Sequence, residues 1–145
     1  MLNVEVSTLV FGTGAGATSL PPVSLRLVSE RVSAREIITR TVAEQIQALE
    51  ELHKEDFASI YAALSQQYLS PDDLTNQAAT GKVVLHREAA RPRVELEVGR
   101  ALRSFASKNF KIFLDGRELH KLDDEVTLID GSSLTFVRLV PLVGG

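Results

Sequence analysis

The chain predicts an α+β fold, and three observations carry that expectation. Segments near both ends alternate apolar and polar residues with the period of two that marks half-buried strands. Between them lies a stretch whose apolar residues recur every three or four positions, the spacing of one helix face. Both strand regions carry turn chemistry, Gly-rich after the first strand and Asp-Gly at 115–116 and 130–131. With 145 residues, 44% of them hydrophobic, the chain can bury one substantial core, so a single domain over 1–145 is expected.

The first element is LNVEVSTLVF over residues 2–11. It sets Leu2, Val4 and Val6 on one face before the alternation blurs into Leu9, Val10 and Phe11, the pattern of a largely buried strand. After GTGAGATSLPP, VSLRLV at 23–28 places Val23, Leu25 and Leu27 opposite Ser24 and Arg26, and the two segments read as a hairpin. Ser33 and Glu36 form a capping box: hydroxyl and carboxylate are spaced to satisfy free N–H groups at a helix start. Ile38, Val42, Ile46 and Leu49 then define an amphipathic helix. Its pattern either runs on through Leu52, Phe57, Ile60, Tyr61, Leu64 and Tyr68 or breaks near His53–Asp56 into a second helix. Pro71 ends it, and Ser70-Pro71-Asp72-Asp73 offers a new N-cap.

Residues 76–93 show weak periodicity and read as a flexible loop. Beyond it, Val94, Leu96 and Val98 would alternate as a strand, whereas Val94, Val98, Leu102 and Phe105 fit a helix. Glu95 and Glu97 near the positive end of the dipole, with Arg103 and Lys108 near the negative end, favour the helix. Gly99 inside it costs about 1 kcal/mol. From Phe110 the texture changes to strand, turn, strand: Phe110, Ile112 and Leu114 alternate into Asp115-Gly116, both residues tolerant of positive φ. Glu125–Leu128 is a short link, Asp130-Gly131 another turn, and Leu134, Phe136 and Val137 open the last strand.

Several chemistries are excluded or weakened by composition. Without cysteine there is no disulfide framework, thiolate metal site or thiol nucleophile, and a cytoplasmic setting is expected. A net charge of −3 with scattered Lys and Arg leaves no nucleic-acid footprint. Apolar runs interrupted by Arg138 and Pro141 fall short of a membrane span, and no secretory leader pattern opens the chain. VFGTGAGATS lacks the Lys-Ser/Thr and the following helix of a phosphate loop, so it reads as a hairpin loop. His53, His86 and His120 lack metal-ligand spacing. Asp72-Asp73 and Asp123-Asp124-Glu125 read as a helix start and a solvated loop rather than a cation site. No Ser/His/Asp set or carboxylate pair stands out, so no enzyme is expected and no catalytic residue is assigned.

The chain closes on LTFVRLVPLVGG, an apolar strand ending in a bare Gly-Gly. N-terminal hairpin, one crossing helix, second hairpin and terminal strand running into Gly-Gly resemble the β-grasp fold of ubiquitin and the bacterial sulfur carriers. KIFLDG, REL and DDEVTLIDGSSL stand where ubiquitin has its third strand, short fourth strand and connecting loop. The phrase DGSSLTFVRLVPLVGG is similar to the end of molybdopterin-synthase small subunits. The resemblance covers roughly 1–52 and 108–145. It implies a β-grasp domain with a helical insertion at 53–107, between the main helix and the third strand, and an exposed tail at 140–145. Such an insertion departs from both families and points toward divergent ubiquitin-like proteins of bacterial conjugation-type operons.

In such proteins the C-terminal carboxylate is adenylated by a separate E1-type enzyme using ATP and magnesium, so this chain needs no cofactor of its own. A terminal glycine suits that step because it lacks a Cβ, threads a narrow channel and leaves its acyl carbon open to attack. The resemblance assigns conjugation or thiocarboxylate formation to Gly145 and Gly144, and tail recognition to Val140, Pro141, Leu142 and Val143. Pro141 stiffens that arm and removes a ladder donor. Three readings follow: a protein modifier, served by an E1-type enzyme, an E2-type conjugating enzyme and a JAB-type metalloprotease; a sulfur carrier; or a scaffold self-assembling through its insertion. Lys54, Lys82, Lys108, Lys111 and Lys121 are candidate acceptors for chains, with nothing to separate them.

Overall fold

The structure, a computed structural model, describes residues 2–11, 20–68 and 90–139. It is a mixed α and β molecule with a five-stranded sheet and three helices among those residues. Strands β1 (Leu2–Phe11) and β2 (Val23–Leu27) form the expected antiparallel hairpin, pairing Val4 with Leu25 and Val6 with Val23. β3 (Arg31–Ser33) leads into helix α1 (Ala34–His53). Helices α2 (Phe57–Tyr68) and α3 (Val94–Ala106) follow, then β4 (Lys111–Leu114), β5 (Arg117–Leu119), β6 (Glu125–Thr127) and β7 (Ser133–Leu139).

The sheet order is β2-β1-β7-β4-β5, so the last strand lies in the middle. It runs parallel to β1 and antiparallel to β4. Burial explains the placement: Val4 and Val6 of β1 and Leu134 and Phe136 of β7 are fully buried, and a central position excludes water from them on the helix side. Asp130-Gly131 sets the register. Gly131, at φ +89°, donates its N–H to the Asn3 carbonyl at 2.8 Å, while Asn3 donates to Asp130 Oδ1 at 2.8 Å. The turn therefore hooks the end of the chain onto the start of β1 and aligns Glu5 with Ser133. At the other turn Asp115 and Gly116 both take positive φ, as a two-residue hairpin between β4 and β5 demands.

Ser33 caps α1, its hydroxyl accepting from the Glu36 N–H at 3.2 Å. Only that half of the capping box forms, because the Glu36 carboxylate lies toward Arg40 at 3.9 Å. The next free donors of the helix are filled from elsewhere: Ala34 N–H donates to the Asp124 carbonyl and Arg35 N–H to that of Leu122. The stretch 125–128 is more than a link, since Glu125–Thr127 pairs with Arg31–Ser33 as a second, two-stranded sheet. This strand was hidden because three residues with one apolar position carry no measurable alternation.

The long helical pattern breaks where the second alternative put it. Lys54 turns out of α1 at φ 55°, and Asp56 starts α2 by accepting from the Ser59 N–H at 3.2 Å and hydroxyl at 2.7 Å. Those two hydrogen bonds hold the Asp56 carboxyl below its ordinary pKa. Residues 94–106 are helical, as the charge placement suggested. Both α2 and α3 lie within the 53–107 span and share one apolar core with α1 and the sheet. Phe110 centres it, 5.4–5.5 Å from the rings of Tyr68, Phe105 and Phe136. No helix among the described residues is long and apolar enough to cross a membrane.

Candidate functional site

A strand sends alternate side chains to opposite faces, and the sheet uses its two faces differently. Even-numbered residues of β1, β4 and β7 point toward the helices, and the odd-numbered ones point away from them. On that open face, Asn3, Glu5 and Ser7 of β1 are polar, but Leu9 and Phe11 are not. Parallel register sets Leu9 beside Val137 and Phe11 beside Leu139. On the far side of β7, Phe113 lies beside Thr135 and Lys111 beside Val137. The result is an apolar cluster, on a face that no described helix covers, at the outgoing end of the central strand. Leu9, Phe11 and Leu139 are 45%, 51% and 66% exposed, whereas Val4, Val6, Leu134 and Phe136 on the core side of the same strands are fully buried. A contiguous exposed cluster of this kind is the physical signature of a contact surface.

The opposite side of the same strand end holds a buried cation. Arg138 faces the helices beside Val10, is only 3% exposed, and its Nη1 has no hydrogen-bond partner. Burial lowers its pKa. Around Leu139 the molecule thus presents an apolar outer surface with a desolvated guanidinium behind it.

Val140, Pro141, Leu142, Val143, Gly144 and Gly145 lie outside the described residues, as do the Gly-rich segment at 12–19, the Ser70–Asp73 cap, residues 76–89 of the loop expected at 76–93, and Lys82 and His86. What is described is their root: Leu139 is the last residue of a strand paired on both sides along much of its length. The expectation that Leu9 and Phe11 continue a buried strand is corrected, because both sit on the open face. The available signal was three successive apolar residues, Leu9-Val10-Phe11, on a strand whose earlier odd positions are polar. An apolar run makes both faces of a strand apolar, and here the face carrying Leu9 and Phe11 is left exposed.

The acidic run 123–125 proves structural rather than merely solvated. Asp124 accepts from the backbone N–H groups of His120 and Lys121, at 3.0 and 2.9 Å, which lowers its pKa. Asp123 pairs with Arg35 at 3.2 Å and Glu125 with Arg31 at 2.8 Å. Among the described residues no group of three His, Asp or Glu side chains is placed to hold a metal ion. Lys54, Lys108, Lys111 and Lys121 are all exposed. No protein-family model, curated protein or solved structure matches this chain.

Proposed function

We propose that this chain is a β-grasp, ubiquitin-like protein modifier, adenylated at Gly145 by an E1-type enzyme and conjugated to a target in the cytoplasm. One observation carries the reading: the strand that runs into the Gly-Gly sequence is the central strand of the sheet. A terminal strand held between two neighbours resists being peeled away when an enzyme grips the residues beyond it. An edge strand would give up its single ladder under the same pull. The element order supports the β-grasp assignment, with a hairpin, a crossing helix, a second hairpin and the last strand inserted beside the first. On this reading α2 and α3 belong to the 53–107 insertion, and 140–145 is the arm that enters the enzyme.

The open-face cluster complements that arm. Leu9, Phe11, Val137 and Leu139 would lie against the E1-type enzyme while Val140–Val143 lead Gly144 and Gly145 to the adenylating site. ATP and magnesium belong to that enzyme: an oxygen of the Gly145 carboxylate would attack the α-phosphorus of ATP, forming the acyl adenylate as pyrophosphate leaves. An E2-type enzyme and a JAB-type metalloprotease would act downstream on the thioester and the finished conjugate. The apolar tail, Pro-Leu-Val-Gly-Gly with no arginine, favours a second reading, a sulfur carrier whose terminal carboxylate becomes a thiocarboxylate.

Intact mass spectrometry separates the two after the full chain is incubated with its adenylating enzyme, ATP, magnesium and cell extract. A covalent adduct on a target amine supports the modifier, and exchange of one oxygen for sulfur supports the carrier. An unchanged mass, with the enzyme active on another substrate, overturns both. Phe11→Asp and Leu139→Asp alter exposed positions, so folding should survive while the KM for activation rises roughly tenfold and kcat holds.

A further inference from the structure

The last strand changes character between Val137 and Arg138. Up to Val137 it is paired on both sides, with Leu9 of β1 and Lys111 of β4 completing the final three-strand row. Beyond that row the β4 ladder has ended, and Arg138 and Leu139 keep only Val10 and Phe11 of β1. β1 has itself parted from β2 after Val6, so among the described residues 10–11 and 138–139 form a two-stranded ribbon at the end of a five-stranded sheet. Two strands alone are marginal in water unless their faces are well buried.

Neither face supplies that burial. Phe11 and Leu139 are exposed on the outside, and on the helix side the cover thins along β1, from fully buried Val4 and Val6 to half-buried Thr8 and Val10. On β7 the inward positions run Leu134, Phe136, Arg138, so a cation stands where the pattern calls for a third apolar anchor. Its Nη1 has no hydrogen-bond partner, and no carboxylate among the described residues forms an ion pair with it. A buried guanidinium short of a counter-charge is penalised by the water it has lost, which opposes docking of the residue that carries it.

We infer that the end of β7 is a release point. Arg138 and Leu139 exchange between the docked ribbon and a peeled state in which the guanidinium reaches water, while the strand stays clamped through Val137. Peeling gives up only the short ladder to Val10 and Phe11 and rehydrates Arg138 in return, so it proceeds without unfolding the sheet. At about 3.3 Å per residue it frees about 7 Å more chain. The arm drawn toward an adenylating site then begins at Arg138 instead of Val140, a use that rests on the modifier reading although the release itself does not.

The test reads Arg138 directly and needs no adenylating enzyme, so release and the modifier reading can fail separately. The full chain is treated with phenylglyoxal, which adds to accessible guanidinium groups, and each site is followed by peptide mass spectrometry in urea below the unfolding transition. Arg138 should be labelled more slowly than exposed Arg117, at a rate that urea in this range leaves unchanged, because local release uncovers little surface. Val10→Glu sets a carboxylate beside Arg138 on the inner face and should slow its labelling roughly tenfold, with Val10→Gln having a smaller effect. Release is refuted if Arg138 is labelled only in step with global unfolding, if it reacts as fast as Arg117, or if a folded Val10→Glu chain shows the wild-type rate.

Discussion

Helix α1 buries two sets of residues of opposite character. Ile38, Val42, Ile46 and Leu49, the stripe legible in sequence, belong to a wholly apolar set with Val4, Leu25, Leu134 and Phe136. Thr41 and Gln45 are just as buried, in a helix that packs on α2 and α3, where Gln67 and Ser104 are buried too. Tyr68 donates its hydroxyl to Gln45 Oε1, and that burial pushes its pKa above the usual phenol range. Thr41 Oγ1, Gln45 Nε2, both amide atoms of Gln67 and Ser104 Oγ have no partner. Each such atom forfeits about 1–3 kcal/mol of desolvation. The apolar stripe is therefore built for stability, while Thr41 and Gln45, buried along with Gln67 and Ser104, give some of it up.

The sharpest way to test that contrast is to cut into both sides. Phe136→Ala removes a ring stacked on Phe110 in the apolar half and should cost about 3–5 kcal/mol in urea unfolding. In the polar half, Tyr68→Phe leaves Gln45 Oε1 without its donor and should cost about 1–2 kcal/mol. Adding Gln45→Met then removes the stranded amide and should restore most of the loss, a coupling that a double-mutant cycle measures. Gln67→Met replaces a buried amide having no partner by an apolar side chain of similar length. It should raise stability by about 1–2 kcal/mol. A loss there instead would mean that the polar half is satisfied in solution by internal water.

Glu97 of α3 gives the same comparison through pH. Burial raises its carboxyl pKa, against the opposing pull of Arg100 at 3.0 Å. The native state thus binds this proton more tightly than the unfolded chain, so the penalty is in force above the raised value. It fades as pH falls toward and below the ordinary carboxylate range. Wild type should therefore gain on Glu97→Gln as the pH is lowered from neutral through that window, read from paired unfolding curves. The smallest effect concerns Gly99, where an added Cβ would meet only the tip of Arg103 at 3.4 Å. Gly99→Ala should stabilise α3 by about 0.5–1 kcal/mol in thermal unfolding.

How much of this could be read beforehand depended on whether local pattern and tertiary role agreed. The β1–β2 hairpin, the Ser33 start of α1 and both Asp-Gly turns were legible because each is fixed by neighbours in sequence. The α2 start at Asp56 was open to view, with Ser59 three residues on, yet no proline or glycine advertised it. Of the candidate site, the tail was conspicuous in the sequence, but its apolar companions were not. Leu9 and Phe11 acquire meaning only once β7 lies alongside β1 and brings Val137 and Leu139 next to them.

The sequence by itself determined the periodicities, caps and turns, since a 3.6-residue repeat, a hydroxyl three residues from a carboxylate and a residue able to take positive φ act over a few ångströms. Only the tertiary structure decided that the last strand enters the centre of the sheet, that β6 pairs with β3, and that Thr41 and Gln45 are buried with Gln67. The first two outcomes depend on which surfaces meet across more than ninety residues of chain and the third on how α1 meets α2, and hydrophobic burial, having no direction of its own, leaves those choices to the packing of the whole.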